Sequence, residues 1–176
     1  MILTHGSNSI SRGGSHQNEV EIGGRWYRYV QIGNQVWMAE NLAYQTSNSS
    51  ASADPSYGLL YPWSDLENIP IPNGWRIPSA NDVYQLVGTN GSPSTDFRSS
   101  SWSNGSNTTG FSAVPAGYID NGRLYTNENL IFTTTRGNLQ YALQISDSSG
   151  FNKAREVHGG AMKDYKMSVR LIKNVT

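Results

Sequence analysis

Between Val20 and Leu42 the apolar residues fall into three bursts, VEI, RWYRYVQI and QVWMAENL, parted by Gly23-Gly24 and Gly33-Asn34. Both dipeptides suit tight turns that need positive φ, so the stretch predicts an antiparallel meander. In its middle strand Trp26, Val30 and Ile32 share one face and Tyr27 and Tyr29 the other, which predicts cover on both sides. Trp26 and Trp37 read as core. Later in the chain, Ala113–Thr126 reads as a hairpin around Asn121-Gly122, a type I′ signal. Leu130–Thr135 is β-prone. Leu139, Tyr141, Leu143 and Ile145 alternate along a further strand, and Met167–Lys173 closes the sheet with Met167, Val169 and Leu171 inward.

The chain is organised around Tyr57–Ser79, YGLLYPWSDLENIPIPNGWRIPS. Its aromatics supply apolar area, while Pro62, Pro70, Pro72 and Pro78 fix φ and remove donors. Neither a long strand nor a long helix fits, so a rigid irregular segment with a helical turn at Ser64–Asn68 is expected. Trp37, Trp63 and Trp75 are expected to be buried. Ser79 with Asp82 three residues on forms a capping-box start for a helix over Ala80–Val87, closed by Gly88.

The polar stretches between these segments are turn and loop chemistry. Gly88–Gly110 carries only Phe97 and Trp102 as large apolar groups, so Trp102 is either the loop's fastening or a sugar-stacking platform. Asp147–Lys166 reads as a last loop. Met1–Asn18 is polar and aperiodic: a flexible tail, or a docking segment in which Ile2, Leu3 and Ile10 seat in a partner and make intermolecular contacts.

YGLLYPW and PNGWRIPSANDVYQL, with QIGNQVWMAENL, GFSAVPAGY and MSVRLIK in that order, resemble the Fibrobacter succinogenes major paralogous domain family. These blocks run from about Val20 to Lys173. The resemblance implies an α+β, C-type-lectin-like domain over residues 19–176, with small antiparallel sheets, short helices and long loops, preceded by an arm over residues 1–18. It also implies kinship to formylglycine-generating enzymes and to the variable proteins of diversity-generating retroelements. The family's cysteine positions correspond to Ile71 and Leu171 here, so an apolar contact is expected in place of a disulfide. The chain's opening is similar to those of lectin-fold proteins encoded by gut bacteriophages and prophages.

Composition narrows the chemistry. Zero cysteines among 176 residues remove disulfides, thiolate metal sites and the cysteine chemistry of the formylglycine-generating relatives. Thirteen Lys and Arg balance thirteen Asp and Glu, which argues against a nucleic-acid partner bound by bulk charge. No apolar run reaches the length of a membrane span, and the first residues lack the pattern of a signal peptide. His5, His16 and His158 show no metal-ligand spacing. Ile71-Pro72-Asn73 and Trp63-Ser64-Asp65 only approximate the EPN and WND signatures of calcium-dependent lectins. No cofactor, metal or catalytic residue is therefore expected.

What remains is a non-catalytic binding module recognising a cell-surface glycan or protein, at a phage tail tip if phage-encoded. The alternative is a structural protein decorating a virion or bacterial surface assembly. A homo-oligomer with an assembly partner at the arm is expected, with bacterial cytoplasmic synthesis if the chain is not phage-encoded. The candidate ligand-binding residues are Trp102 and Asn104 in the long loop, and Asp120, Asn121 and Tyr125 at the hairpin. Arg136 and Asn138 in the next turn and Asn152, Arg155 and His158 in the last loop complete the set. Tyr and Trp supply stacking area, Asn and Asp bond hydroxyls, and Arg forks a carboxylate. These loops are expected to converge on one face, away from the arm.

Overall fold

The computed structural model describes residues 16–88, 91–133, 140–147, 153–159 and 165–175. The meander forms as β1 (Glu19–Ile22), β2 (Arg25–Ile32) and β3 (Gln35–Met38), turning at the two predicted dipeptides. Then come β4 (Ser50–Ala51), β5 (Leu59–Pro62), a 3-10 turn at Trp63–Asn68 and α1 (Ala80–Val87). The remaining strands are β6 (Ser92–Pro93), β7 (Tyr118–Asp120), β8 (Arg123–Tyr125), β9 (Glu128–Phe132), β10 (Gln140–Ser146), β11 (Lys153–Gly159), β12 (Lys166–Met167) and β13 (Ile172–Asn174). They assemble into sheets ordered β1-β2-β3-β13, β6-β11-β10-β9 and β4-β5-β12-β7-β8, with every strand pairing antiparallel. Small antiparallel sheets with one α-helix among the described residues make an α+β architecture.

α1 starts and stops for the expected local reasons. Ser79 Oγ accepts from the Asp82 N–H at 3.2 Å, and the Asp82 carboxylate accepts from the Ser79 N–H at 2.6 Å. Gly88 closes it at φ 72°, donating its N–H to Tyr84 O. Val83 and Val87, one turn apart, are the inward face.

Two hydrophobic clusters make the core, and the strands between them are apolar on both sides. One gathers Tyr27, Val36, Met38, Leu42, Tyr61, Trp75, Leu130, Phe132, Met167, Val169 and Leu171. The other gathers Trp37, Val83, Val87, Phe97, Trp102, Phe111, Ile131, Leu143, Ile145 and Ile172. β3 sends Val36 and Met38 to the first cluster and Trp37 to the second, and β9 splits Leu130 and Phe132 from Ile131 in the same way. β3 is buried on both faces along its whole length, whereas β2 is covered on both only towards its end, where Tyr29 packs on the first cluster and Ile32 on the second.

Several expectations change accordingly. Trp26 is 42% exposed, stacked on His16 with ring centroids 3.9 Å apart, because its face of β2 turns outward. Val30 and Ile32 on that face are half-buried. Trp37 and Trp75 are buried as expected; Trp63 is only half-buried, its ring edge meeting Phe132. Of the two positions that correspond to the family's cysteines, Leu171 is fully buried, whereas Ile71 is 37% exposed. Of the arm, His16 to Asn18 fall within the described residues and pack on their own chain. Asn18 O accepts from the Tyr29 N–H at 2.9 Å, and His16 Nδ1 meets the Glu19 carboxylate. The rest of the arm lies outside the described residues, as does Leu139.

Two buried carboxylates fasten loops and set an acid limit. Burial raises the Asp82 pKa, but the Arg76 fork, at 2.5 and 2.8 Å, and the Ser79 bonds outweigh it and leave it below the usual value. Asp65 is lowered by bonds from the Asn48 and Thr46 side chains and the Asn48 N–H. Both folded pKa values lie below the unfolded value of about 3.9, so their stabilisation is complete above it and drains as pH falls through the folded values. Thermal melts are expected to hold a constant midpoint from about pH 5 to 8 and drop below about pH 4, with Asp82→Asn flattening the drop. A midpoint independent of pH down to about pH 2 would contradict this.

Candidate functional site

One arginine ties the loops together from inside. Arg170 is fully buried, although the alternation that points Val169 and Leu171 inward assigns it to the opposite face. Its Nε donates to Asn41 Oδ1 at 2.7 Å, Nη1 to the Met38 and Phe111 carbonyls, and Nη2 to Ser112 O at 3.1 Å. Its guanidinium also sits 4.4 Å from the Phe111 ring centroid. Burial lowers its pKa to about 9, and with acceptors all round it stays charged at neutral pH. Asn41 in turn donates to Tyr57 O at 3.0 Å. Beside it Gly58, at φ 84°, lies so near that a Cβ would stand 2.7 Å from Leu42 O. Four of the sequence blocks that carry the family resemblance thus meet at one guanidinium and one amide.

The candidate surface is the β7–β8 hairpin. Asn121 and Gly122 take φ 47° and 78°, as a type I′ turn requires, and set Tyr118 directly opposite Tyr125. The two rings stack 5.0 Å apart, only 8° from parallel. Tyr165, just before β12, lies 5.7 Å from Tyr118 at 11°, so three phenols form one column. At the hairpin's foot Gly117 must be glycine, since a Cβ would fall 2.3 Å from Tyr125 O. The Arg123 guanidinium lies 5.0 Å from the Tyr125 ring, and Asp120 accepts from the Asn121 side chain at 2.9 Å. All three rings are half-buried, while Asn121 and Leu124 are exposed.

The phenols of Tyr118 and Tyr165 keep their protons at neutral pH. Burial, then the charges of Glu128, Tyr165, Tyr125 and Asp120, pushes Tyr118 up to about 12. Tyr165 is raised by burial and then by the Asp120 carboxylate. The patch therefore offers flat apolar edges, hydroxyl donors and one carboxylate acceptor side by side.

Of the expected site residues, Asp120, Asn121 and Tyr125 come together here. Trp102 does not belong to a ligand site. It is buried in the second cluster, its Nε1 donates to the Asp147 carboxylate at 3.1 Å, and Arg98 lies 5.7 Å from its ring. It is the long loop's fastening. Asn104 is exposed at φ 55° on that loop, whose backbone bonds run to Thr95, Asp96 and Ala113. Arg155 and His158 lie on β11, paired with Gln144 and Tyr141, not in a loop. Arg136, Asn138 and Asn152 lie outside the described residues. Tyr118 and Tyr165 went unnamed as site residues, although the register of a two-residue turn at Asn121-Gly122 already places Tyr118 across from Tyr125.

Among the described residues no three His, Asp or Glu side chains group as a metal site, and no helix is long and apolar enough to cross a membrane. Asp65, the acid of the near-miss calcium signature, is committed to Thr46 and Asn48.

A model of the Fibrobacter succinogenes major domain matches residues 30–173. The chain belongs to that family. No curated protein and no solved structure matches it.

Proposed function

We propose that this domain is a non-catalytic recognition module that binds a surface glycan at the hairpin patch. The observation that carries the reading is the column of Tyr118, Tyr125 and Tyr165 beside Asp120 and Asn121. The aromatic column supplies apolar contact area for the C–H groups of a sugar, and the carboxylate, amide and phenol hydroxyls suit its hydroxyl groups. Mutual stacking already fixes the rings, so little side-chain entropy is lost when a ligand arrives. The fold in this reading is the C-type-lectin-like one that the family resemblance implies, in which loops and hairpins over a rigid core carry recognition. At a phage tail tip or on a bacterial surface such a module would attach its bearer to a cell.

A glycan array with the purified chain tests this. The wild type is expected to bind a defined subset, and Tyr125→Ala to weaken that binding about tenfold or more with little change in melting temperature. Asp120→Asn is expected to shift the preference among bound glycans. An array without specific binding, or a Tyr125→Ala variant that binds like the wild type, would overturn the reading.

A further inference from the structure

A concave site shares no residue with the hairpin patch. This cleft of about 310 Å³ is lined by Arg25 and Arg28 of β2, by Glu40 and Asn41, and by Ser99 and Ser100 of the long loop. Its size is at the low end for ligand sites, enough for one sugar residue.

The charges in it are unevenly matched. Arg25 has no carboxylate partner among the described residues; its guanidinium lies 5.0 Å from the Tyr27 ring. Arg28 Nε stands 3.5 Å from the Glu40 carboxylate, and the Arg28 side chain is 64% exposed, leaving its other donors open. Behind the wall sits the buried Arg170, bonded to Asn41 and to Ser112, which both line the cleft. Two arginines and one carboxylate therefore line the cleft, with a third guanidinium behind its wall.

The walls are already set. Asn107, also in the lining, donates to Ser112 Oγ at 2.9 Å and accepts from the Ser112 N–H at 2.8 Å, and buried Trp102 pins the loop that carries Ser99 and Ser100. The open donors are the two arginines; Ser100 is exposed in the same lining, and Ser99 Oγ is held by Ser101, its Oγ at 2.7 Å and its N–H at 3.2 Å.

We propose that this cleft binds the carboxylate of an acidic sugar residue, with Arg25 and Arg28 as its charged partners and Ser99 and Ser100 facing the sugar's hydroxyls. Glu40 makes the choice of anion. Its charge opposes a dianion more strongly than a monoanion, which favours a carboxylate over a phosphate monoester.

Amide NMR of the full chain, titrated with glucuronate and N-acetylneuraminate, tests the proposal against glucose, acetate, inorganic phosphate and an oligo-glutamate peptide. At least one acidic sugar is expected to shift the amides of Arg25, Arg28, Ser99 and Ser100, with glucose leaving them unmoved and the other anions acting more weakly. Arg25→Gln with Arg28→Gln is expected to weaken the response about tenfold or more, and Glu40→Gln to strengthen it a few-fold. Tyr125→Ala is expected to leave it unchanged, which separates this site from the hairpin. No response to either acidic sugar would overturn the proposal. So would an equal response to glucose, a stronger one to phosphate or peptide, or a double variant that binds normally. Should the double variant fail to fold, Glu40→Gln decides alone: unchanged or weaker binding counts against the site.

Discussion

Arg170→Met is expected to destabilise the domain by about 3–5 kcal/mol and to lower its melting temperature by roughly 10 °C or more. The cost does not come from lost volume, since methionine follows much of the arginine's stem. It comes from the acceptors left behind: the Met38, Phe111 and Ser112 carbonyls would lose their arginine donors, and Asn41 Oδ1 would keep only the Asn129 side-chain amide, at 3.4 Å. Arg170→Lys keeps the charge but loses the planar fork, so it should fall between the two. Chemical denaturation with both variants checks this. A methionine variant as stable as the wild type would show that the carbonyls find other partners.

Trp37→Ala is expected to cost about 3–5 kcal/mol, the second largest effect. The ring is fully buried beside Phe111, centroids 5.8 Å apart, on the strand that divides the two clusters. Its Nε1 donates to Gln35 Oε1 at 3.0 Å, and Gln35 in turn donates to Asp82 O at 3.1 Å, so the loss reaches α1. Trp37→Phe keeps most of the area but orphans the Gln35 oxygen and should cost less. Equal melting temperatures for wild type and Trp37→Ala would contradict the two-cluster core.

The difference between Trp37 and Trp26 shows what was legible in the sequence. Turn dipeptides, the capping box at Ser79–Asp82 and the stop at Gly88 act within four or five residues, so they were readable one segment at a time. Which face of a strand is covered depends on distant partners. Periodicity placed Trp26 and Tyr27 on opposite faces of β2, but not which face met the core, and it could not show β3 buried twice over. Arg170 is the sharper case. It lies between Val169 and Leu171 like a solvated edge residue, yet its acceptors are 58 to 132 positions away in sequence. A charged side chain inside an apolar closing strand was the available signal.

The site followed the same division. Asp120, Asn121 and Tyr125 were legible as one group because a strong local turn gathers them. Tyr165 joins the column only through the pairing of β12 with β7, a contact no short motif encodes. Trp102 went the other way, since an indole in a polar loop reads equally as platform or anchor until its burial is known.

The most direct measurement of the recognition claim is NMR of the tyrosine ring protons while the best array glycan is added. The account predicts that the rings of Tyr118, Tyr125 and Tyr165 shift together and saturate at one affinity, with Tyr57 and Tyr84 unmoved. Rings of the column that stay unmoved while the glycan binds would contradict it.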